Sequence, residues 1–148
     1  MSDLPFTYDE FKSIYSRIPR LCVDLAITYS RGILLAKRNL SSWNGLWYMP
    51  GGTVYYKETL AHTAQRVAQD ELKVRIQIDK QLGYIEYSSE EKTRGFGWSV
   101  GVVLQCSIIS GSPVSTEQGS DPQFFNRLPE PMIEEQKKFI LDHHLSSS

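Results

Sequence analysis

The sequence has little cysteine, almost no net charge and no long hydrophobic run. Its two cysteines, Cys22 and Cys106, each lie inside an apolar run. That excludes a disulfide-dense scaffold and points to buried free thiols, with a single bridge left open. Lys and Arg number 16 against 17 Asp and Glu, a net charge of −1. A general nucleic-acid or membrane-surface binder is excluded, while a local basic pocket is not. The longest apolar segment, WSVGVVLQCSII, is too short and too interrupted to span a bilayer. The opening MSDLPFTYDEF is acidic with no apolar centre, unlike a secretory signal. No repeat and no linker divides the chain. The expectation is one cytoplasmic domain, 1–148, with neither nucleic acid nor membrane as partner.

What is present is an ordinary soluble composition, 41% hydrophobic and 22% charged. TYDEFKSIYSR spaces Phe11, Ile14 and Tyr15 helically after a capping Thr7, and Pro19 closes it. Two β-rich runs flank Ser30–Arg31–Gly32, a hairpin signal. In the first, Cys22, Asp24, Ala26 and Thr28 share one face, and Val23, Leu25 and Ile27 the other. NLSSWNGLWYMPGG reads as a loop with a short strand, and a helix runs from Thr59 to about Lys73. RIQIDKQLGYIEY and WSVGVVLQCSII read as longer strands joined by a charged loop, SSEEKTRGFG. A polar loop, SGSPVSTEQGSDP, precedes the short run QFFNRL. PMIEEQKKFILDHHL reads as a closing helix with Pro131 in its first turn and Met132, Ile133, Gln136, Phe139 and Ile140 inward. Such mixing predicts an α/β/α sandwich, a mixed β-sheet between helices.

The middle helix carries the chemistry. Leu60, Ala64 and Val67 form one apolar stripe and Ala61, Ala68 and Leu72 another, while Glu58, His62, Arg66 and Asp70 recur every four residues. Glu71 ends the first apolar stripe, where a carboxylate must be solvated, paired or bound to a cation. Gly51 and Gly52 let backbone come close to a ligand. Carbonyl and carboxylate oxygens are what Mg²⁺ prefers. The plain alternative is a tight turn before a surface helix.

The segment GGTVYYKETLAHTAQRVAQDELKV resembles the Nudix box, G-x5-E-x7-R-E-U-x-E-E-x-G-U, U being aliphatic. Gly52, Glu58, Arg66 and Glu71 fall on its fixed positions, Asp70 replaces a Glu, and Ala68 and Val74 fill aliphatic places. Val67 replaces a metal-binding Glu, so the helix offers Asp70 and Glu71 at most, which favours a single ion. Lys73 replaces the last Gly.

Within that family the chain is most similar to the GDP-mannose mannosyl hydrolases, through DEFKSIYSRIPRLCVDLAITYSRGILLAKR and WNGLWYMPGGTVYYKETL, and weakly at EQGSDPQFFNRLPE. The resemblance implies hydrolysis of a nucleoside diphosphate-sugar at the sugar carbon, with one Mg²⁺ (or Mn²⁺ in its place) on the diphosphate. It implies a metal held by the Gly51 carbonyl, Glu71 and Gln118, substrate contact by Asp24, and a leaving diphosphate stabilised by Arg38. It also implies a homodimer, with residues 1–20 at its interface. Two positions depart. Thr53 stands at a substrate-binding position where that branch has Arg, and Gly119 where it has the His that activates water. Glu117 and Asp121, flanking Gly119, are the candidate replacements as base. Arg66 is expected to orient Glu58 and the helix carboxylates. Tyr8, Trp43, Trp47 and Tyr48 offer stacking surfaces for a base, or core or dimer contacts. His62, His143 and His144 read as surface residues. Cleavage at carbon and at phosphorus both stay open, as does a catalytically weak nucleotide-binding domain serving as sensor or partner.

Overall fold

A computed structural model describes residues 5–147. The first four residues of the expected interface segment therefore lie outside the described residues. Helix α1 (Tyr8–Tyr15) starts at Thr7, whose hydroxyl accepts from the Glu10 N–H while Glu10 reaches back to the Thr7 N–H, a complete capping box. Strands β1 (Arg20–Tyr29) and β2 (Gly32–Arg38) form the expected hairpin, tightened by Ser30 at φ 57°. β3 (Trp47–Tyr48) continues beyond β2.

β4 (Gly51–Thr53) is a strand rather than a turn. It lies antiparallel to β1 with Gly51 opposite Asp24. Helix α2 (Leu60–Leu72) follows, capped at its start by Thr59. Its last cap is Lys73, in the left-handed region at φ 60°. That conformation explains why a glycine suits the position, since a side chain there costs about 1 kcal/mol.

β5 (Arg75–Glu86) pairs antiparallel with β6 (Ser99–Ser110), and β6 runs parallel to β1. The expected loop between them contains a short helix, α3 (Glu90–Arg94), whose Glu90 is buried. β7 (Gly119–Phe125) pairs with β2 and begins inside what reads as a loop, because the edge of β2 offers it a ladder despite Pro122. Helix α4 (Glu134–Asp142) starts three residues after Pro131, so Pro131 precedes the helix instead of occupying its first turn.

The seven strands run β3-β2-β1-β6-β5, with β4 on β1 and β7 on β2. The alternation along β1 separates two cores. Val23, Leu25 and Ile27 pack with Ala64, Val67, Ala68 and Leu72 of α2. Ala26 packs on the opposite face with Ile133, Phe139 and Ile140 at α4. This is the α/β/α sandwich with its mixed sheet. Ala61 is exposed, so the second stripe of α2 is shorter than its spacing suggests. Cys22 and Cys106 are buried and unpaired. No described helix is long and apolar enough to cross a membrane.

Candidate active site

A cavity of about 300 Å³ opens where α2 meets the ends of β1, β3 and β4. Asp24, Arg38, Gly51, Thr53, Glu71 and Gln118 all line it, with Asp70 and Arg66. The structure thus gathers every expected site residue except Glu117 and Asp121. Those two are exposed and absent from the lining. Asp121 has φ 52°, and β7 shifts register against β2 between Leu35 and Lys37, which breaks the alternation that would aim it inward. A second, more open groove of about 640 Å³ beside the β1–β2 turn is lined by Arg31, Asn126 and His144, and by none of these residues.

Asp24 sits on the central strand, 6% exposed. Its carboxylate fits because both flanking strands present glycine. A Cβ at Gly51 would come within 2.5 Å of Oδ1, and one at Gly101 within 2.0 Å of Oδ2. The Tyr87 hydroxyl donates to Oδ2 at 2.6 Å, Gln136 Nε2 donates to that hydroxyl at 2.9 Å, and Gln136 Oε1 accepts from the Met49 N–H at 2.7 Å. Burial raises the Asp24 pKa to about 6, opposed by the Tyr87 hydrogen bond and the charges of Arg20 and Arg38.

Glu71 is 4% exposed and accepts from the Tyr48 hydroxyl at 2.8 Å. Burial raises its pKa to about 7 against the pull of Tyr48, Arg38 and the Gly51 amide. Tyr48 itself is held far above its usual range, by burial first and the Glu71 charge second, so it remains a donor. Val67 is 2% exposed, and its Cγ2 lies 3.0 Å from where a Cβ on Gly52 would stand. The valine fills that wall with hydrocarbon.

Gly119 has a reason of its own. A Cβ there would meet Tyr48 Oη at 2.7 Å and Ala36 Cβ at 3.1 Å. Gly119→His is therefore expected to cost about 1–3 kcal/mol by overpacking, read as a lower thermal midpoint. An unchanged midpoint would show that Tyr48 swings clear.

Glu58 binds Arg66 through both oxygens, at 2.8 Å to Nε and 2.9 Å to Nη2, and also accepts from Thr63 and the Tyr55 amide. These bonds, the Arg66 pair first, lower its pKa to about 2. Arg66 Nη2 reaches the Thr53 carbonyl at 2.7 Å, so the pair ties α2 to β4. Arg38 donates from Nε to the Ser42 carbonyl at 2.6 Å and from Nη2 to Ser42 Oγ at 2.8 Å. Its guanidinium lies over Trp43 and Tyr48. The aromatic residues divide: Trp43 and Tyr48 line the cavity, Trp47 packs on Phe125, and Tyr8 is 62% exposed beside Phe96.

Several lining residues escape a sequence reading. Tyr87 and Arg94 arrive from segments far from α2, and Gln136, expected only on the inward side of the closing helix, joins them in the lining. Arg20 shares the Cys22–Asp24 face by alternation, the one signal that could have found it. Its Nη1 donates to Thr53 Oγ1 at 2.8 Å.

Among the described residues no three Asp, Glu, His or Cys side chains converge on a metal-sized site. The cavity lining holds two buried carboxylates, Glu71 on α2 and Asp24 on β1, the latter already accepting from Tyr87, together with the half-buried Asp70 and with Gly51 and Gln118 as neutral oxygen donors. That set fits Mg²⁺, which commonly takes one or two protein carboxylates and completes its shell with phosphate and water.

Residues 18–124 match the NUDIX domain family. A 79-residue segment is 40% identical to the low-salt glycan biosynthesis protein Agl8 of Haloferax volcanii, covering 53% of this chain and 51% of that protein. The chain thus spans about half the length of that relative. Over 127 residues it is 28% identical to the ADP-ribose pyrophosphatase of Methanocaldococcus jannaschii, covering 84% and 73% of the two chains. The crystal structure of a MutT NUDIX hydrolase from Burkholderia pseudomallei superposes with a TM-score of 0.75 at 23% identity, over 84% of this chain and 97% of that one.

Proposed function

Because the chain belongs to the NUDIX domain family, we propose that its cavity hydrolyses a nucleoside diphosphate linked to a sugar, GDP-mannose-like, by attack of water at the sugar carbon. The observation that carries this reading is the wall beside Gly51 and Gly52, where Glu71 is the buried carboxylate and Val67 the hydrocarbon. With Val67 in place of a third helix carboxylate and Asp24 engaged by Tyr87, Glu71 is the carboxylate left for a metal, which favours one ion over a cluster, and a single ion is enough to hold a diphosphate as leaving group. The relatives fit the substrate class: one is named for glycan biosynthesis, and the other for ADP-ribose, itself a nucleoside diphosphate joined to a sugar.

Gly51, Glu71 and Gln118 would hold Mg²⁺ or Mn²⁺, which when bound neutralises charge on the diphosphate. Arg38 presents its guanidinium, fixed by Ser42, to the leaving oxygen. Asp24 accepts the proton of the attacking water. Its pKa of about 6 leaves it ionised at neutral pH yet more basic than a surface carboxylate. The bond from water oxygen to the sugar carbon forms as the carbon–oxygen bond to the diphosphate breaks, and the electron pair leaves on the diphosphate. Asp24 takes the role for which Glu117 and Asp121 are too far outside the cavity.

Hydrolysis of nucleoside diphosphate-sugars in ¹⁸O-water with Mg²⁺ tests this. Label is expected in the sugar; label only in phosphate would place attack at phosphorus. Binding without turnover would instead favour the sensor or partner reading. Arg38→Ala is expected to lower turnover on the order of 10²-fold. It should also cost about 1–2 kcal/mol of stability, because its two bonds to Ser42 pin the loop after β2. Full activity in the variant would remove Arg38 from the reaction.

A further inference from the structure

Three guanidiniums follow one another along one wall of the cavity. Ser42 Oγ accepts from Arg38 at 2.8 Å and from Arg94 at 3.1 Å. Glu90 Oε2 lies 3.1 Å from Arg94 Nη1 and 3.2 Å from Arg20 Nη2. Arg20 and Arg94 side chains are each 12% exposed and that of Glu90 is fully buried. Both arginines line the cavity. Phe11 covers them from α1, its ring 5.5 Å from the Arg20 guanidinium carbon and 5.4 Å from that of Arg94.

Within the Arg20–Glu90–Arg94 cluster itself the charges do not balance, although Asp24 also feels the Arg20 charge. Two guanidiniums share one carboxylate, and Glu90 Oε1 is already engaged by the Ser99 hydroxyl at 2.6 Å. Arg94 Nη1 is enclosed and makes no hydrogen bond, lying against Glu90 as an ion pair only. A buried guanidinium that shares its counter-charge with another and leaves one nitrogen without an acceptor is costly unless something supplies them. Burial, and then the neighbouring Arg20, lowers the Arg94 pKa to about 10, the direction expected of crowded cations. The diphosphate already has positive partners of its own in the proposed ion and Arg38. Arg20 also stands four residues along β1 from Asp24, about 13 Å at the usual strand rise.

We propose that Arg20 and Arg94 form an anion subsite that takes a second negatively charged group of the substrate, a phosphate monoester or carboxylate, beside the diphosphate held at Arg38. The proposal rests on the nucleoside diphosphate reading of the cavity and narrows it to substrates carrying a further acid. A guanidinium pair suits either group, since both offer two oxygens to paired N–H donors.

Inorganic phosphate binding, followed by calorimetry in EDTA, tests the subsite without metal or turnover. Arg94→Met is expected to weaken phosphate at least tenfold, Glu90→Gln to tighten it severalfold, and Arg31→Met, in the other groove, to leave it within threefold. If Arg94→Met does not fold, Arg20→Met is read in its place. Absence of binding, unchanged affinity in the subsite variant, no tightening in Glu90→Gln, or an equal loss in Arg31→Met would each overturn the proposal. Displacement of phosphate by UDP-glucuronate against UDP-glucose, and by ADP-ribose 2′-phosphate against ADP-ribose, locates the acid. The anionic member should displace at least tenfold better in one pair, showing whether the sugar or the nucleoside carries it. Equal displacement in both pairs would overturn the subsite. Turnover of neutral sugars with Mg²⁺ remains a separate test of the hydrolase reading, so the two can fail independently.

Discussion

Glu71→Gln is expected to lower metal-dependent turnover by about 10³-fold or more while raising the thermal midpoint of the metal-free protein at pH 8. Both effects come from the same carboxylate. Glu71 is the buried negative charge of the proposed metal set, and an amide oxygen cannot replace it opposite a divalent ion. Without metal that charge is a liability. Burial raises its pKa to about 7, so at pH 8 the ionised side chain destabilises the fold by on the order of 2–3 kcal/mol. Glutamine is nearly isosteric and its amide oxygen can still accept from the Tyr48 hydroxyl, so the cavity should keep its shape. Asp70→Asn is the contrast. Asp70 is half-buried and sits in the field of Arg66, so its loss should change turnover less than tenfold. Equal losses in the two variants, with metal affinity untouched in both, would remove Glu71 as the ligand.

The second expectation concerns pH. The metal-free protein should be most stable near pH 4 and lose several kcal/mol by pH 8. Asp24 and Glu71 have folded pKa values raised to about 6 and about 7. A carboxylate raised on folding penalises the native state above its folded pKa. The penalty disappears as pH falls towards its unfolded value of about 4. Glu58 has the opposite sign. Its pKa of about 2 means its contribution is present above about pH 4.5 and is lost as pH falls through 2. The two trends meet near pH 4. Thermal melts in EDTA from pH 3 to 9 should show that maximum, with a fall of roughly 2–4 °C per kcal/mol on either side. A flat profile from pH 5 to 8 would mean that the two buried carboxylates are solvated. Saturating Mg²⁺ with a diphosphate should flatten the alkaline side, because the ion competes with the proton for Glu71.

Much of this site is written in short-range pattern. Arg66 and Glu71 belong to helix α2, whose 3.6-residue period sets the faces they occupy, while Glu58 lies just before the Thr59 cap and meets Arg66 eight residues on, from the turn that leads into the helix. Asp24 is conspicuous as an acid alternating into an apolar strand. Arg20 lies on the same alternation, but at the strand's first residue, where the start of the ladder is uncertain by a residue or two. The remaining wall depends on distance in sequence. Glu90 meets Arg20 across 70 residues, and Tyr87 meets Asp24 across 63. Those meetings follow from the parallel placement of β6 beside β1 and from the small helix α3, neither of which has a local signature. Glu117 and Asp121 fail for the converse reason. Nearness to Gly119 in the chain does not survive the positive φ at Asp121 or the register shift in the ladder.

The glycines at 51 and 101 imply a constraint on how this sequence can change over time. Each leaves room for one oxygen of the Asp24 carboxylate, so their Cβ positions overlap with it at 2.5 Å and 2.0 Å. Substitution at either glycine is closed while Asp24 is present, and opens once position 24 becomes small. The return path then shuts, because restoring the acid beside a new side chain on β4 or β6 would force the sheet apart. Positions 24, 51 and 101 therefore behave as a one-way ratchet. A lineage that loses the acid and then fills the space beside it cannot recover the acid by a single reversal.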